Sequence, residues 1–184
     1  MHPVVRTRSR LALRELTDDD VDAIHAIYGN HQVTEYLSFE PRTRNQVADL
    51  VARSIAVATA TPREEYALAV TEGPAGPLIG FARLALDPHQ QQAATIGGAL
   101  RSDAWGHGYG TEAAHILLDL AFDDLDLHRV WAARAPKNEA SAKTLLAAGM
   151  TEEGRIRGHV FVRGAWRDSV VYGVLKEERN PART

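Results

Sequence analysis

Apolar and polar positions along the chain change rhythm several times, and each change marks an element. Leu11, Leu13 and Leu16 roughly alternate with polar neighbours, which predicts a first strand ending near Leu16. Thr17 followed by Asp18, Asp19 and Asp20 opens a helix, with a hydroxyl cap and acids in the first turn, where the helix dipole favours negative charge. Val21, Ile24, Ile27 and Tyr28 form its apolar face, and Gly29-Asn30 ends it. A loop is expected over 31–42. Thr43 with Gln46 three residues on is a capping box for a second helix running to about Thr61. Strand periodicity then takes over. Residues 66–71 and 78–86 flank Gly73-Pro74-Ala75-Gly76-Pro77 and read as a hairpin. Residues 93–101 form the next strand and carry Gly97-Gly98, a pair that marks a bulge or a close backbone approach.

After Arg101 the period returns to that of a helix. Ala113, Ile116, Leu117, Leu120 and Ala121 fall on one stripe, with Glu112, His115, Asp119 and Asp123 on the opposite side. Residues 129–134 are short and strand-like. Asn138 opens another helix carrying Ala142, Leu145 and Leu146, closed by Gly149. Two last strands, 160–163 and 166–175, are joined by a tight Gly164-Ala165 turn. The order predicts an α+β (mixed α/β) domain with antiparallel pairing before the third helix and a parallel pair around it. There is no repeat of 20–50 residues, which argues against a solenoid.

Composition narrows the function classes. A chain of 184 residues reads as a single domain, 1–184, large enough to bury about 70% of its extended surface without covalent staples. The absence of cysteine excludes a disulfide framework, a thiolate metal site and a cysteine nucleophile. With 21 basic against 24 acidic residues, the chain lacks the basic excess of a nucleic-acid binder. No apolar run approaches the ~20 residues that span a bilayer, and Arg6, Arg8 and Arg10 are not followed by a signal-peptide core. The expectation is a soluble, cytoplasmic enzyme or binding domain. The eight histidines lack a ligand spacing, so no metal is argued.

The most informative stretch is Trp105-Gly106-His107-Gly108-Tyr109-Gly110-Thr111-Glu112-Ala113, where three glycines alternate between a strand and an amphipathic helix. The first N–H groups of a helix have no internal partner and sit at its positive end, and glycine lets a ligand approach the backbone closely. The segment therefore reads as a phosphate cradle of main-chain amides, against the plainer reading of a tight turn. No lysine follows the glycines, so it is not a Walker loop. Gly108-x-Gly110-x-x-Ala113 formally matches the dinucleotide fingerprint. The next strand, however, ends Ala133-Arg134-Ala135-Pro136-Lys137 without the ribose-binding acid, and the motif follows a meander instead of opening a βαβ array. A nucleotide-dependent oxidoreductase is disfavoured on both counts.

This arrangement resembles the acyl-CoA loop of the GNAT N-acetyltransferase superfamily, more closely its RimJ/RimL-like branch. The loop pattern, Gln/Arg-x-x-Gly-x-Gly/Ala, maps onto Trp105-x-x-Gly108-x-Gly110, with Trp105 in place of the Gln/Arg. The resemblance continues through His128-Arg129-Val130, Asn138-x-x-Ser141, Leu145-x-x-x-Gly149-Met150, Glu153-Gly154 and Trp166-Arg167-Asp168. It implies a mixed, mostly antiparallel sheet of about seven strands with about four helices, splayed between its fourth and fifth strands. It also implies acetyl-CoA as donor, a primary amine as acceptor (a protein or peptide α-amino group, or a small-molecule amine) and a homodimer. Pantetheine would lie in the splay, near the amides of Ala99 and Leu100 beside the Gly97-Gly98 bulge. The pyrophosphate would take amides from Trp105 through Gly106, His107, Gly108, Tyr109, Gly110 and Thr111. Asn138 would touch pantetheine and Ser141 would donate a proton to the sulfur, although both also suit the cap of their helix.

The general base is where the sequence departs from the family. Many relatives carry Glu at the position of Thr95, and a threonine cannot act as a base at neutral pH. Glu35, in the loop with Tyr36 and Ser38, is a replacement candidate, as is a water chain. The missing Glu keeps a catalytically silent acyl-CoA-binding or sensor domain in play. The His107 side chain is expected to face water and Glu112 to complement the helix dipole. Tyr172, Trp131 and Trp166 read as packing residues, with Trp166 also placed to line an acceptor groove.

Overall fold

The structure, a computed structural model, describes residues 2–179. Strands β1 (Val5–Arg8), β2 (Leu11–Glu15), β3 (Glu65–Glu72), β4 (Leu78–Leu86), β5 (Ala93–Leu100), β6 (Arg129–Arg134), β7 (Thr151–Val162) and β8 (Ala165–Leu175) join one sheet in the order β1-β2-β3-β4-β5-β6-β8-β7. Helices α1 (Val21–Tyr28), α2 (His31–Thr34) and α3 (Arg44–Ala58) cover one face. Helices α4 (Tyr109–Asp119) and α5 (Glu139–Ala147) cover the other. Strand β3 is apolar almost throughout because both its faces are covered. Tyr66, Leu68 and Val70 pack on the α4 side, and Ala67 and Ala69 on the α1 side.

Each pairing is antiparallel except β5–β6, which is parallel, as the order of elements requires. That parallel pairing is short: Ala93, Ala94 and Thr95 oppose Arg129, Val130 and Trp131, and the register goes no further. From Ile96 onward β5 and β6 diverge, and the sheet is open between them. These are the two strands expected to splay.

Several expectations are corrected. Strand β1 is additional, and its Arg6 and Arg8 pair with Asp124 and Asp119 beyond and on α4. The loop predicted over 31–42 begins with α2, whose start is capped by the Asn30 side chain accepting from the Gln32 amide at 2.8 Å. Thr17 precedes a 3₁₀ turn (Asp18–Asp20), and α1 proper starts at Val21. Helix α3 has the predicted Thr43/Gln46 box but ends at Ala58. Strand β7 starts at Thr151 instead of residue 160, and Gly97-Gly98 is not a bulge, since β4 and β5 keep continuous register from Gly80↔Leu100 to Leu86↔Ala94.

The close-approach alternative holds for Gly98. A Cβ there would overlap the Phe81 carbonyl oxygen and lie 3.2 Å from Ala82 Cα, whereas a Cβ at Gly97 meets nothing within 4 Å. Gly98→Ala is therefore expected to destabilise the fold by about 2 kcal/mol, as overpacking against backbone does, while Gly97→Ala stays close to the parent. Thermal melts of the two variants check this, and equal melting temperatures would contradict it.

Candidate functional site

The edge of β5 that faces the opening can be read from its ladder. The Arg101 amide donates to Ile79 O at 2.8 Å, and Ala93 O accepts from the Asp87 amide at 2.8 Å, so these two residues turn their polar groups toward β4. Successive residues of a strand point to opposite edges. Ala99 therefore also faces β4, while the Ile96 N–H closes the last pairing with β6 at Trp131 and Gly98 and Leu100 aim their N–H groups into the opening. Of the two amides named from the sequence, that of Leu100 points into the opening and that of Ala99 points toward β4, and Gly98 adds a second N–H on the open edge.

The glycine loop closes one end of this opening. Gly106 and Gly108 adopt φ of +80° and +78°, conformations that glycine reaches without strain, and Gly108 is the N-cap of α4. The Gly108 carbonyl accepts from the Glu112 amide at 3.1 Å, the first intrahelical bond, so the N–H groups of Tyr109, Gly110 and Thr111 have no acceptor within the helix. Gly110 is needed for a different reason. A Cβ there would stand 3.4 Å from the Thr144 side chain, so glycine lets α4 and α5 approach at the mouth of the site. Trp105 is exposed, and its indole N–H donates to Leu100 O at 3.0 Å, tying the loop to the end of β5. Its own amide bonds to Ser102 O at 3.3 Å and so closes a turn, leaving the unpaired donors further along the loop. The exposed His107 ring stacks on Tyr109 at 5.6 Å.

The loop is anchored by a pair the sequence could not reveal. Glu112 is 7% exposed, and its Oε1 accepts from the amides of Arg10 at 2.7 Å and Leu11 at 3.0 Å. Its Oε2 takes the Arg10 guanidinium at 2.9 Å, and Arg10 in turn donates to the His107 carbonyl at 2.8 Å and covers the Tyr109 ring. Burial opposes ionisation of Glu112, but the Arg10 amide, the Arg10 guanidinium and the Leu11 amide outweigh it and hold the carboxyl below its ordinary value. Glu112 is thus a structural clamp between β2 and α4, beyond the dipole role expected of it.

Across the opening, Asn138 caps α5, its Oδ1 accepting from the Ser141 amide at 3.0 Å. The Ser141 hydroxyl takes no part in that cap and makes no hydrogen bond among the described residues. Glu35 is exposed in the segment after α2. The adjacent Tyr36 phenol is pushed up by the Glu35 charge and hydrogen bond, then by burial and by the Glu139 charge. Two arginines at the β7–β8 end hold the segment. Arg163 donates to Thr34 O at 2.7 Å and Arg167 to Tyr36 O at 2.8 Å. Thr95 makes only a long contact, 3.5 Å, with Ala85 O.

The aromatic candidates divide. Tyr172 is buried, donating to Glu152 at 2.7 Å and accepting from Arg134 at 3.0 Å, as core placement requires. Trp131 is tied to Asp87 at 2.9 Å. Trp166 is 68% exposed against Phe161 and is not a packing residue.

A strand–glycine-turn–helix cradle beside a splayed parallel pair is the arrangement the sequence resemblance implied, and comparison with known proteins agrees. Residues 10–151 match the acetyltransferase (GNAT) domain, so the chain belongs to the GNAT acetyltransferase family and is an acetyl-transferring enzyme. It is 28% identical over 176 residues to the uncharacterized N-acetyltransferase YoaA of Bacillus subtilis, covering 96% of this chain and 98% of that one. Its fold is shared with Mycobacterium smegmatis RimJ in complex with CoA-disulfide (TM-score 0.84, 24% identity, 96% of this chain and 90% of that one). It is also shared with Vibrio cholerae spermidine N-acetyltransferase in complex with CoA and spermine (TM-score 0.79, 23% identity, 93% and 98%).

Proposed function

We propose that the protein transfers the acetyl group of acetyl-CoA directly to a primary amine in a ternary complex, as a RimJ/RimL-like N-acetyltransferase. The observation that carries this reading is the open β5 edge, where the Gly98 and Leu100 N–H groups point into the gap beside β6. The residues suit the donor. A diphosphate accepts hydrogen bonds from the unpaired amides at the start of α4, and a pantetheine arm lies along β5 where a strand is missing. Two proteins of the same fold were solved with CoA, which supports a CoA thioester as the donor.

The thioester supplies an activated acetyl carbonyl. Charge on its oxygen grows when the amine attacks, and fixed main-chain donors on β5 stabilise that charge more than the ground state. The new C–N bond forms as the C–S bond breaks, so one proton must leave the amine and one must reach the sulfur. We assign the second to Ser141, whose hydroxyl at the first turn of α5 is unengaged among the described residues. Glu35, or water over the uncovered surface at Gly97, takes the first. Holding both reactants in the gap supplies much of the remaining acceleration.

The alternative, a silent acyl-CoA-binding domain, draws on Thr95. Free-thiol release from acetyl-CoA over a panel of amines and N-terminal peptides separates the two, with no background because the chain has no cysteine. Thiol release that depends on an amine is expected. Tight acetyl-CoA binding with no turnover on any acceptor would favour the silent domain.

A further inference from the structure

On the α1–α3 face of the sheet, a groove of about 400 Å³ is lined by Arg53, Ser54, Val57, Glu65, Ala67 and Arg83. Its origin is legible in the register. Ala67, Arg83 and Gly97 stand side by side across β3, β4 and β5, and Glu65, Ala85 and Thr95 form the adjacent row. Alanine, glycine and threonine at four of these six places leave a trough where larger side chains would fill it. Gly97 and Thr95 carry the same two rows from the groove onto β5, where Gly97 is bare and the opening to β6 begins just past Thr95.

The charge in the groove does not cancel. Arg83 donates to Glu65 at 3.0 Å, which accounts for the one carboxylate among the lining residues. Arg53, on α3, makes no hydrogen bond or ion pair among the described residues, yet it stands close enough to Glu65 to help lower its pKa, after the Arg83 hydrogen bond, the opposing burial and the Arg83 charge. The Ser54 hydroxyl donates to Leu50 O at 2.9 Å, which leaves its lone pairs outward but no spare proton. Two guanidinium groups against one carboxylate make this a cationic trough. It lies over β3 and β4 beneath α3, and β3 stands two strand spacings, or about 10 Å, from β5.

From this juxtaposition we propose that the amine acceptor carries an anionic group, a carboxylate or phosphate, about 10 Å from the reacting nitrogen, and that Arg53 and Arg83 bind it. This rests on the acetyl-transfer reading above. It makes a polycation such as spermine, which the V. cholerae relative holds, a poor acceptor here. Ten ångströms is about three extended residues, so a peptide α-amine with an acid near its third position fits, as does a small amine bearing a terminal carboxylate.

The test uses the full chain with acetyl-CoA. Tetrapeptides differing only in Glu, Gln or Lys at the third position, a small amino-carboxylate and its uncharged amide, and spermidine are compared for thiol release. Their binding to the CoA-loaded protein is measured by calorimetry. The Glu peptide is expected to exceed the Gln peptide by about fivefold in kcat/KM, the scale of a partly exposed ion pair, with Lys and spermidine lower still. In Arg53→Gln combined with Arg83→Gln that ratio falls to about one, and Arg53→Glu reverses the order. Arg53→Gln alone, which breaks no hydrogen bond or ion pair among the described residues, keeps the test independent of folding. A preference for the small amino-carboxylate over the Glu peptide would identify the small-molecule source of the same chemistry. Equal rates for Glu and Gln, or a preference surviving in the double variant, would overturn the proposal. If CoA binds and no amine is acetylated, the transfer reading fails, and the calorimetric ranking of the Glu and Gln ligands decides the groove separately.

Discussion

Gly108→Val is expected to weaken coenzyme A binding at least tenfold while the protein still folds. Gly108 has φ of +78°, and a β-branched residue held there costs about 1–2 kcal/mol. The protein itself leaves room, since the nearest atom to an added Cβ is Arg10 Nη2 at 3.6 Å, an ordinary contact. The larger effect falls on the ligand. The side chain would stand over the N–H groups of Tyr109, Gly110 and Thr111 and hold a diphosphate away from them, and charge-assisted hydrogen bonds lose strength steeply with distance. Calorimetric titration of coenzyme A into the folded variant measures this. An affinity equal to that of the parent would remove the diphosphate from this loop.

Glu112→Gln should be the more damaging change to the fold. The carboxylate accepts from the buried Leu11 amide, the Arg10 amide and the Arg10 guanidinium, and a carboxamide offers one oxygen where two are used. Leaving buried donors unpaired costs about 3 kcal/mol, or a fall of roughly 6–12 °C in melting temperature for a chain of this size. Coenzyme A affinity should fall as well, because Arg10 then loses the partner that holds it on the His107 carbonyl. The loss depends on pH with a definite sign. Glu112 has its carboxyl lowered in the folded protein, so its contribution is complete above the ordinary glutamate value of about 4.3 and is lost as pH falls through the lower folded value. Parent and variant should differ most near neutrality and converge in acid. Melting curves between pH 7 and pH 3 that stay parallel would contradict the clamp.

What the sequence made legible was whatever had a local signature. The stripe of Ala113, Ile116 and Leu117 gave α4, the Thr43/Gln46 box gave the start of α3, and three alternating glycines gave the loop. The parts that escaped are set by distant partners. Strand β7 is exposed along nearly its whole length, so no alternation marks it, and its identity comes from pairing with β8. Strand β1 is short, and its arginines find their acids more than a hundred residues away. The Arg10–Glu112 clamp is of the same kind. At Gly97-Gly98 the sequence narrowed the choice to a bulge or a close approach, and only the register with β4 decides for the latter. That register also turns the Ala99 amide toward β4 and the Gly98 amide toward the gap. The arginine groove had no linear signal, because Arg53, Glu65 and Arg83 come together only through the packing of α3 on β3 and β4.

A crystal structure of the protein grown with coenzyme A bears most directly on this account. It should place the diphosphate within hydrogen-bond distance of the Gly110 and Thr111 amides and the pantetheine arm between β5 and β6, with the Leu100 and Gly98 N–H groups facing the thiol end. Coenzyme A bound at another surface, or a closed β5–β6 gap with these amides unengaged, would contradict it.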